Sequence, residues 1–406
     1  MVRVKSDGFA AYILLAFVTT AGLFYVNLGG AFLSAFVDGM GLSRADAGFI
    51  TSANKYGAAF GALIAAFIVK RIQWRKSVYI LFPILIIVDL ISFFATDSSM
   101  LLGIRTFHGV VGGLSVGIGL SIIARTKSPE RGFGTLLAVQ YTFGSIGIFT
   151  VPKLVEIFGH GAAFGALITF TTITLLLLPF IPDYPRKEES VSLKSVTGES
   201  FKTELLIVPL MITMAAVFLF QASNMGVADY AFELGKESGY TMGELSNLLA
   251  VANILSVSGA LLVIWMEAKF GRAKPIFFGV LIAALFTFLL HWSATIEIYF
   301  IANLVTGIMW AFCISYLLAL GAAFDSHGQM AALSGFISKL GLASGSFIAA
   351  LVIGNDNFAS IINLATLSLV ICALIALYPA LLIDKAESYL KRRPANGSDD
   401  HSSTAA

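Results

Sequence analysis

Charge is what this chain has least of: Asp, Glu, Lys and Arg make up 12% of its 406 residues, against 57% hydrophobic. A water-soluble protein of that length covers itself with far more charge, so a soluble globular class is excluded. Cysteine is almost absent. Cys313 and Cys372 both fall inside apolar segments, which excludes a disulfide framework or a Cys-rich metal cluster and leaves two buried thiols. The five histidines, His108, His160, His291, His327 and His401, form no His-x-x-x-His or Glu-x-x-His pair, so a membrane-embedded metalloenzyme lacks its ligands. No Gly-x-x-x-x-Gly-Lys-Ser/Thr loop occurs, which argues against direct ATP drive. Basic residues gather only in short loops, so there is no face for nucleic acid. No enzyme, cofactor or metal is expected.

What is present is a series of long apolar runs. A hydrocarbon core of ~30 Å takes about 20 residues of helix. That ruler marks twelve spans, near 10–37, 46–69, 77–95, 100–124, 134–156, 162–181, 204–233, 244–266, 274–292, 296–322, 330–353 and 358–383. The first run lacks a small-residue cleavage site and is read as a retained helix. Polar residues between the sixth and seventh runs divide the chain into a six-helix bundle at 1–182, a cytoplasmic linker at 183–203, a second bundle at 204–385 and a disordered tail at 386–406. The fold class is therefore all-α integral membrane. With the N-terminus inside, 20 Lys and Arg lie in cytoplasmic segments and 3 (Arg44, Lys153, Lys236) outside, which predicts both termini in the cytoplasm. Trp74, Trp265 and Trp292 fall at span ends, where interfacial tryptophans belong.

The sequence also repeats itself. Gly41-Leu-Ser43-Arg-Ala-Asp46 returns 198 residues later as Gly239-Tyr-Thr241-Met-Gly-Glu244. Each copy carries the Ser/Thr-x-x-Asp/Glu spacing that caps a helix N-terminus. The basic turn Lys70-Arg71-Ile-Gln-Trp-Arg75-Lys76 aligns with 268–274, which holds Lys269, Arg272 and Lys274, and Arg105-Thr-Phe-His108-Gly109 aligns with Asn303-Leu-Val-Thr306-Gly307. Two bundles related by duplication are an architecture that transporters use to alternate access to a site between the halves.

On these residues the chain resembles a secondary transporter of the major facilitator superfamily. Its loop signature after the second span, Gly-x-x-x-Asp-Arg-x-Gly-Arg-Arg/Lys, survives as Arg71, Arg75 and Lys76, with Lys70 and Gln73 replacing the Asp and second Gly. The second copy keeps Lys269, Gly271, Arg272 and Lys274, with Glu267 one place before the expected acid. The fourth-span Arg-x-x-x-Gly is intact as Arg105 and Gly109. The fifth-span drug-antiporter signature is poorly met: Gly144, Gly147 and Pro152 are present, but no Gly-Pro pair is. The resemblance implies two pseudo-symmetric six-helix bundles in a cytoplasmic membrane, a monomer, and a small organic solute moved by alternating access. It also implies that the two basic turns (Arg71, Arg75, Lys76, Lys269, Arg272) lock the inner side.

Ionisable residues within spans are expensive and therefore candidates for function. Asp89 and Arg105 lie at similar depths on either side of the turn near Ser98, with His108 on the face of Arg105. They form either a proton-coupling group or a structural staple between helices. Lys55 and Lys339 sit in the second and eleventh spans, which face each other across the halves in the superfamily. Either they clamp an anionic solute together, as a lysine at Lys339's place does in some organic-anion members, or Lys55 pairs with a buried acid or snorkels. Asn27 and Asn224 match across the repeat in the first and seventh spans, which line the superfamily's cavity. Tyr25, Gln221, Gln140, Trp310 and Tyr316 complete the expected solute contacts. Asp229 and Glu233 read as interfacial groups or an outer gate. The expectation is a proton-coupled transporter favouring a carboxylate or other anion, with a multidrug or metabolite efflux antiporter as the alternative.

Overall fold

The structure, a computed structural model, describes residues 3–6, 8–69, 71–123, 125–126, 129–184, 207–266, 271–324, 329–354 and 357–392. Most of the expected linker, Lys70, Lys269 and residues 393–406 lie outside these. Among the described residues every regular element is helical. Ten helices are long and apolar enough to cross a membrane. The other two of the twelve crossings are the second, Arg44–Ile68, which carries three charges, and the first, which is broken.

The first crossing consists of Phe9–Ala21, a single turn Phe24–Asn27, and Gly29–Met40. The seventh is Ile207–Asp229 followed, after Tyr230, by Ala231–Glu237. Interrupted helices at corresponding places in two halves mark where transporters build their sites. Glycine permits the first break: a Cβ on Gly22 would strike the Gly112 carbonyl, and one on Gly29 the Asp229 carboxylate. The turns opening the second and eighth crossings confirm the repeat. Gly41 and Gly239 take left-handed φ values of 70° and 92°, a conformation glycine adopts without strain. Ser43 then caps the Asp46 amide, and Thr241 with Glu244 closes a reciprocal capping box.

Glycine also sets the closest helix packing, between the second and fourth crossings. Gly57, Gly61, Gly109 and Gly113 each lie against a backbone carbonyl of the partner, respectively Thr106, Val110, Asn54 and Ala58. The repeat preserves this: Gly259 meets the Ile308 carbonyl as Gly61 meets that of Val110. Lipid-facing positions are large and apolar, among them Phe67, Phe94, Ile157 and Leu176, as are the exposed Trp265 and Trp292. Trp74 differs from the interfacial expectation. It is 8% exposed, with the Arg75 guanidinium 4.6 Å over its ring. The last helix runs through Arg392, past the expected boundary at 386, because Ala386-Glu-Ser-Tyr-Leu-Lys-Arg392 are mostly good helix formers.

The face bearing the 41–43, 95–97, 159–160, 238–241 and 293–295 turns is called distal here, and the opposite face, with Arg3, the 71–73 turn and Asp183, is called terminal. At the distal end one apolar core joins the halves: Leu28, Phe32 and Phe36 share it with Tyr230, Phe232, Leu245 and Ile353. The remainder of the second half has a separate core around Ile276, Cys313 and Cys372.

Candidate functional site

A cavity of about 330 Å³ lies between the halves, within the size range of small-molecule sites. Its wall takes Asn27, Gly29 and Gly30 from the first crossing, Gln140 and Tyr141 from the fifth, and Asn224 and Asp229 from the seventh. The eighth adds Asn253 and Ser256, and the tenth adds Asn303, Thr306 and Trp310. Amides and hydroxyls thus supply its polarity, with one carboxylate.

Their bonds show which atoms remain available. Asn224 Nδ2 donates to the Phe220 carbonyl at 2.7 Å, and Asn303 Nδ2 to that of Tyr299 at 2.8 Å. A carbonyl can only accept, so each amide turns its nitrogen inward and keeps Oδ1 as an acceptor. Asn27 Nδ2 and the Tyr141 hydroxyl are buried without a hydrogen-bond partner among the described residues. Buried donors left unpaired are costly, and a solute acceptor would satisfy them. Trp310 is oriented from behind: its Nε1 donates to Gln221 Oε1 at 2.6 Å, while Gln221 Nε2 donates to Ser338 Oγ at 2.6 Å.

Asp229 serves both cavity and boundary. Its Oδ2 binds Lys55 Nζ and accepts from the Ser346 hydroxyl, while Lys55 also donates to Ser346 Oγ at 2.8 Å. Lys55 is 2% exposed and Asp229 1%. Beyond them, towards the distal face, Arg44 bonds Glu233 at 3.1 Å and Glu237 at 3.2 Å, and Lys236 bonds Asp38 at 2.6 Å. Tyr230 donates to the Arg44 carbonyl at 2.9 Å, and the Tyr56 and Ser344 hydroxyls meet at 2.9 Å. All of these cross between the halves.

A second buried network lies wholly within the first half. Arg105 Nη1 donates to Asp89 Oδ1 at 2.6 Å, and the guanidinium stacks 4.6 Å from the Tyr25 ring centre and 5.2 Å from that of Phe164. Asn54 Nδ2 gives one hydrogen to the Arg105 carbonyl at 2.9 Å and one to His108 Nδ1 at 2.8 Å. That makes Nδ1 the acceptor and Nε2 the protonated nitrogen, 3.3 Å from Asp89 Oδ1, so a neutral imidazole satisfies the geometry. None of Asp89, Arg105 and His108 lines the cavity.

Of the residues expected to contact solute, Asn27, Gln140, Asn224 and Trp310 line the cavity. Tyr25 instead packs beneath Arg105, Gln221 holds Trp310, and Tyr316 lies in the second half's core 5.1 Å from Phe312. Lys55 and Lys339 do not form a clamp: Asp229 takes Lys55, and Lys339 is half-buried off the cavity wall with no acid facing it among the described residues. The contacts shown for the basic turns among the described residues lie within their own halves. Arg75 donates to the Leu178, Ile181 and Pro182 carbonyls and to Asp183, which satisfies the end of the sixth crossing. The Arg272 and Ala273 amides donate to Asp384. Arg71 and Lys76 are exposed. The residues not anticipated are Asn253, Asn303, Thr306, Asn54 and the distal ion pairs. The repeat could have found the first three, which stand 198 positions after Lys55, Arg105 and His108.

Residues 10–350 match the family model described as Major Facilitator Superfamily. The chain belongs to the Major Facilitator Superfamily. Its architecture is similar to the crystal structure of a D-xylose-proton symporter, at a TM-score of 0.69 and 15% identity, over 91% of this chain and 96% of that one. It is also similar to a variant of the nucleoside transporter NupG, at 0.67 and 14%, over 92% and 98%. No curated protein matches by sequence. A member of this superfamily with a cavity between its halves is a multi-pass membrane transporter, not an enzyme.

Proposed function

We propose that the chain is a proton-coupled secondary transporter of an uncharged polar solute with an apolar or ring face. The cavity wall carries this reading. It offers unspent donors at Asn27 and Tyr141, acceptors at Asn224 and Asn303, a positioned indole at Trp310, and no unpaired charge. An anion would need a cation there, and Lys55 is already neutralised by Asp229. D-Xylose and nucleosides, for which the two similar structures are named, are solutes of this uncharged, hydrogen-bonding kind. The missing Gly-Pro pair in the fifth span weighs against a drug exporter.

In the same reading the termini are cytoplasmic, as Lys and Arg placement predicts, so the distal end, where ion pairs join the halves, is the outer one. The protein works as a monomer in the cytoplasmic membrane, its halves rocking about the bound solute. Solute binding lowers the energy of the occluded intermediate, and the proton gradient biases the cycle.

The test is a thermal-shift screen of purified protein against pentoses, hexoses, nucleosides, small carboxylates and lipophilic cations at pH 5.5 and 7.5. Counterflow in proteoliposomes follows with each compound that binds. Stabilisation and counterflow by an uncharged compound are expected. Activity confined to carboxylates, and lost in Lys339→Gln, would replace this reading with the organic-anion one.

A further inference from the structure

We infer that Asp229 is the proton-coupling carboxylate, and that its protonation unlatches the distal seam between the halves. The inference rests on the transport reading above and assigns its coupling step. Three observations carry it. Asp229 borders the cavity, whereas Asp89 is sealed inside the first half. Its carboxylate is shared by three helices: it ends one helix of the seventh crossing, binds Lys55 of the second and accepts from Ser346 of the eleventh. The link is also one-sided. Across the repeat, Lys55 corresponds to Asn253, Asp229 to Ala31 and Ser346 to Ile148. The equivalent seam, between the fifth and eighth crossings, is held by Asn253 donating to Ser145 Oγ and Lys153 donating to Asn247 Oδ1, each at 2.9 Å, and neither bond involves a carboxylate. Protonation therefore acts on one seam and leaves the other as a hinge.

The step moves a single proton. A carboxylate oxygen of Asp229 takes it from cavity water and becomes neutral, while Lys55 keeps its own proton and loses its counter-ion. An unpaired ammonium is not tolerated in a dry seam, so the second and eleventh crossings part until water reaches it. The groups around Asp229 leave no substitute anion at that position. Lys55 and Ser346 face it, the first crossing presents Gly29 with Tyr25 one turn back, and Glu233 beyond Tyr230 is engaged by Arg44 and Lys236.

The experiment needs no solute. Thr306→Cys places a thiol on the cavity wall, and the native Cys313 and Cys372 are fully buried. A membrane-impermeant maleimide is added to the distal side of sealed vesicles at pH 5 and pH 8, with rates normalised to Ser99→Cys on the exposed distal turn. Labelling at least tenfold faster at pH 5 is expected. Asp229→Asn should label fast at both pH values, whereas Asp89→Asn should keep the pH response. Gly29→Ala, which changes no titrating group but drives a methyl into the Asp229–Lys55 contact, should raise the pH 8 rate. A pH response that survives Asp229→Asn, or that vanishes in Asp89→Asn, would overturn the assignment. If Asp229→Asn does not fold, an unchanged pH 8 rate in Gly29→Ala overturns it. If no solute exchanges in proteoliposomes, the transport reading fails, while these labelling rates still decide the role of Asp229.

Discussion

Asn54 spends both amide hydrogens on one task, fixing the Arg105 carbonyl and the His108 tautomer together. The result is a buried cation, a buried carboxylate and an imidazole interlocked beneath two aromatic rings. Removing one charge from such a pair leaves the other uncompensated, so Asp89→Ala should cost about 3–5 kcal/mol, read as a large drop in the unfolding temperature in detergent. Gln221 tests the cavity in a milder way. Gln221→Ala leaves the Trp310 indole without its acceptor, and a solute that stacks there should bind about tenfold more weakly, checked by titration calorimetry. Single residues were legible in the sequence to different degrees. Asn27 and Asn224 stood out because the repeat pairs them and amides are costly within a span. Tyr316 and Lys339 lie off the cavity wall, which helix depth does not reveal because it does not give azimuth. A membrane helix is apolar towards both lipid and core, so no polar stripe shows which way a side chain points.

Helices in this fold are positioned by glycine as much as by large apolar side chains. At Gly113, any Cβ would run into the Ala58 carbonyl, and a backbone oxygen cannot swing aside. Gly113→Leu should therefore separate the second and fourth crossings and cost about 1–3 kcal/mol or more, seen as lower folded yield and earlier melting. The strap at the terminal face is a weaker device. Burial pushes the Asp183 carboxyl up, but its bonds and charge contacts with Arg75 and Arg3 outweigh that and hold it below the ordinary carboxylate value of 3.8. The contribution is complete above that value and is lost only as pH falls through the lowered one. With Asp183 exposed, it should amount to less than about 1 kcal/mol, so Asp183→Asn should melt slightly earlier than the parent by the same small margin at every pH from 5 to 8. Twelve crossings could be read from length and hydropathy alone. The break in the first was not visible, because Gly22 and Gly29 fall within a run apolar enough to read as one span.

Taken whole, the molecule is two bundles joined at the distal end, with a cavity between them. The distal seam is ionic at its rim, with Arg44 to Glu233 and Glu237 and Lys236 to Asp38. Lys236→Glu should set like charges against each other and raise distal labelling of the cavity, and Asp38→Lys added to it should restore the slow rate. This closure was the least legible part of the structure, since bonds between halves depend on how two bundles are docked, which neither repeat contains. Asp38 and Lys236 stand 198 residues apart, the interval of the duplication. Equivalent positions touch only on the pseudo-twofold axis, where in a symmetric dimer of one bundle each residue would face its own copy. Two aspartates or two lysines would repel there. Attraction at that point is open only to halves whose sequences have diverged, so this bond makes the latch a property no pair of identical bundles could have possessed.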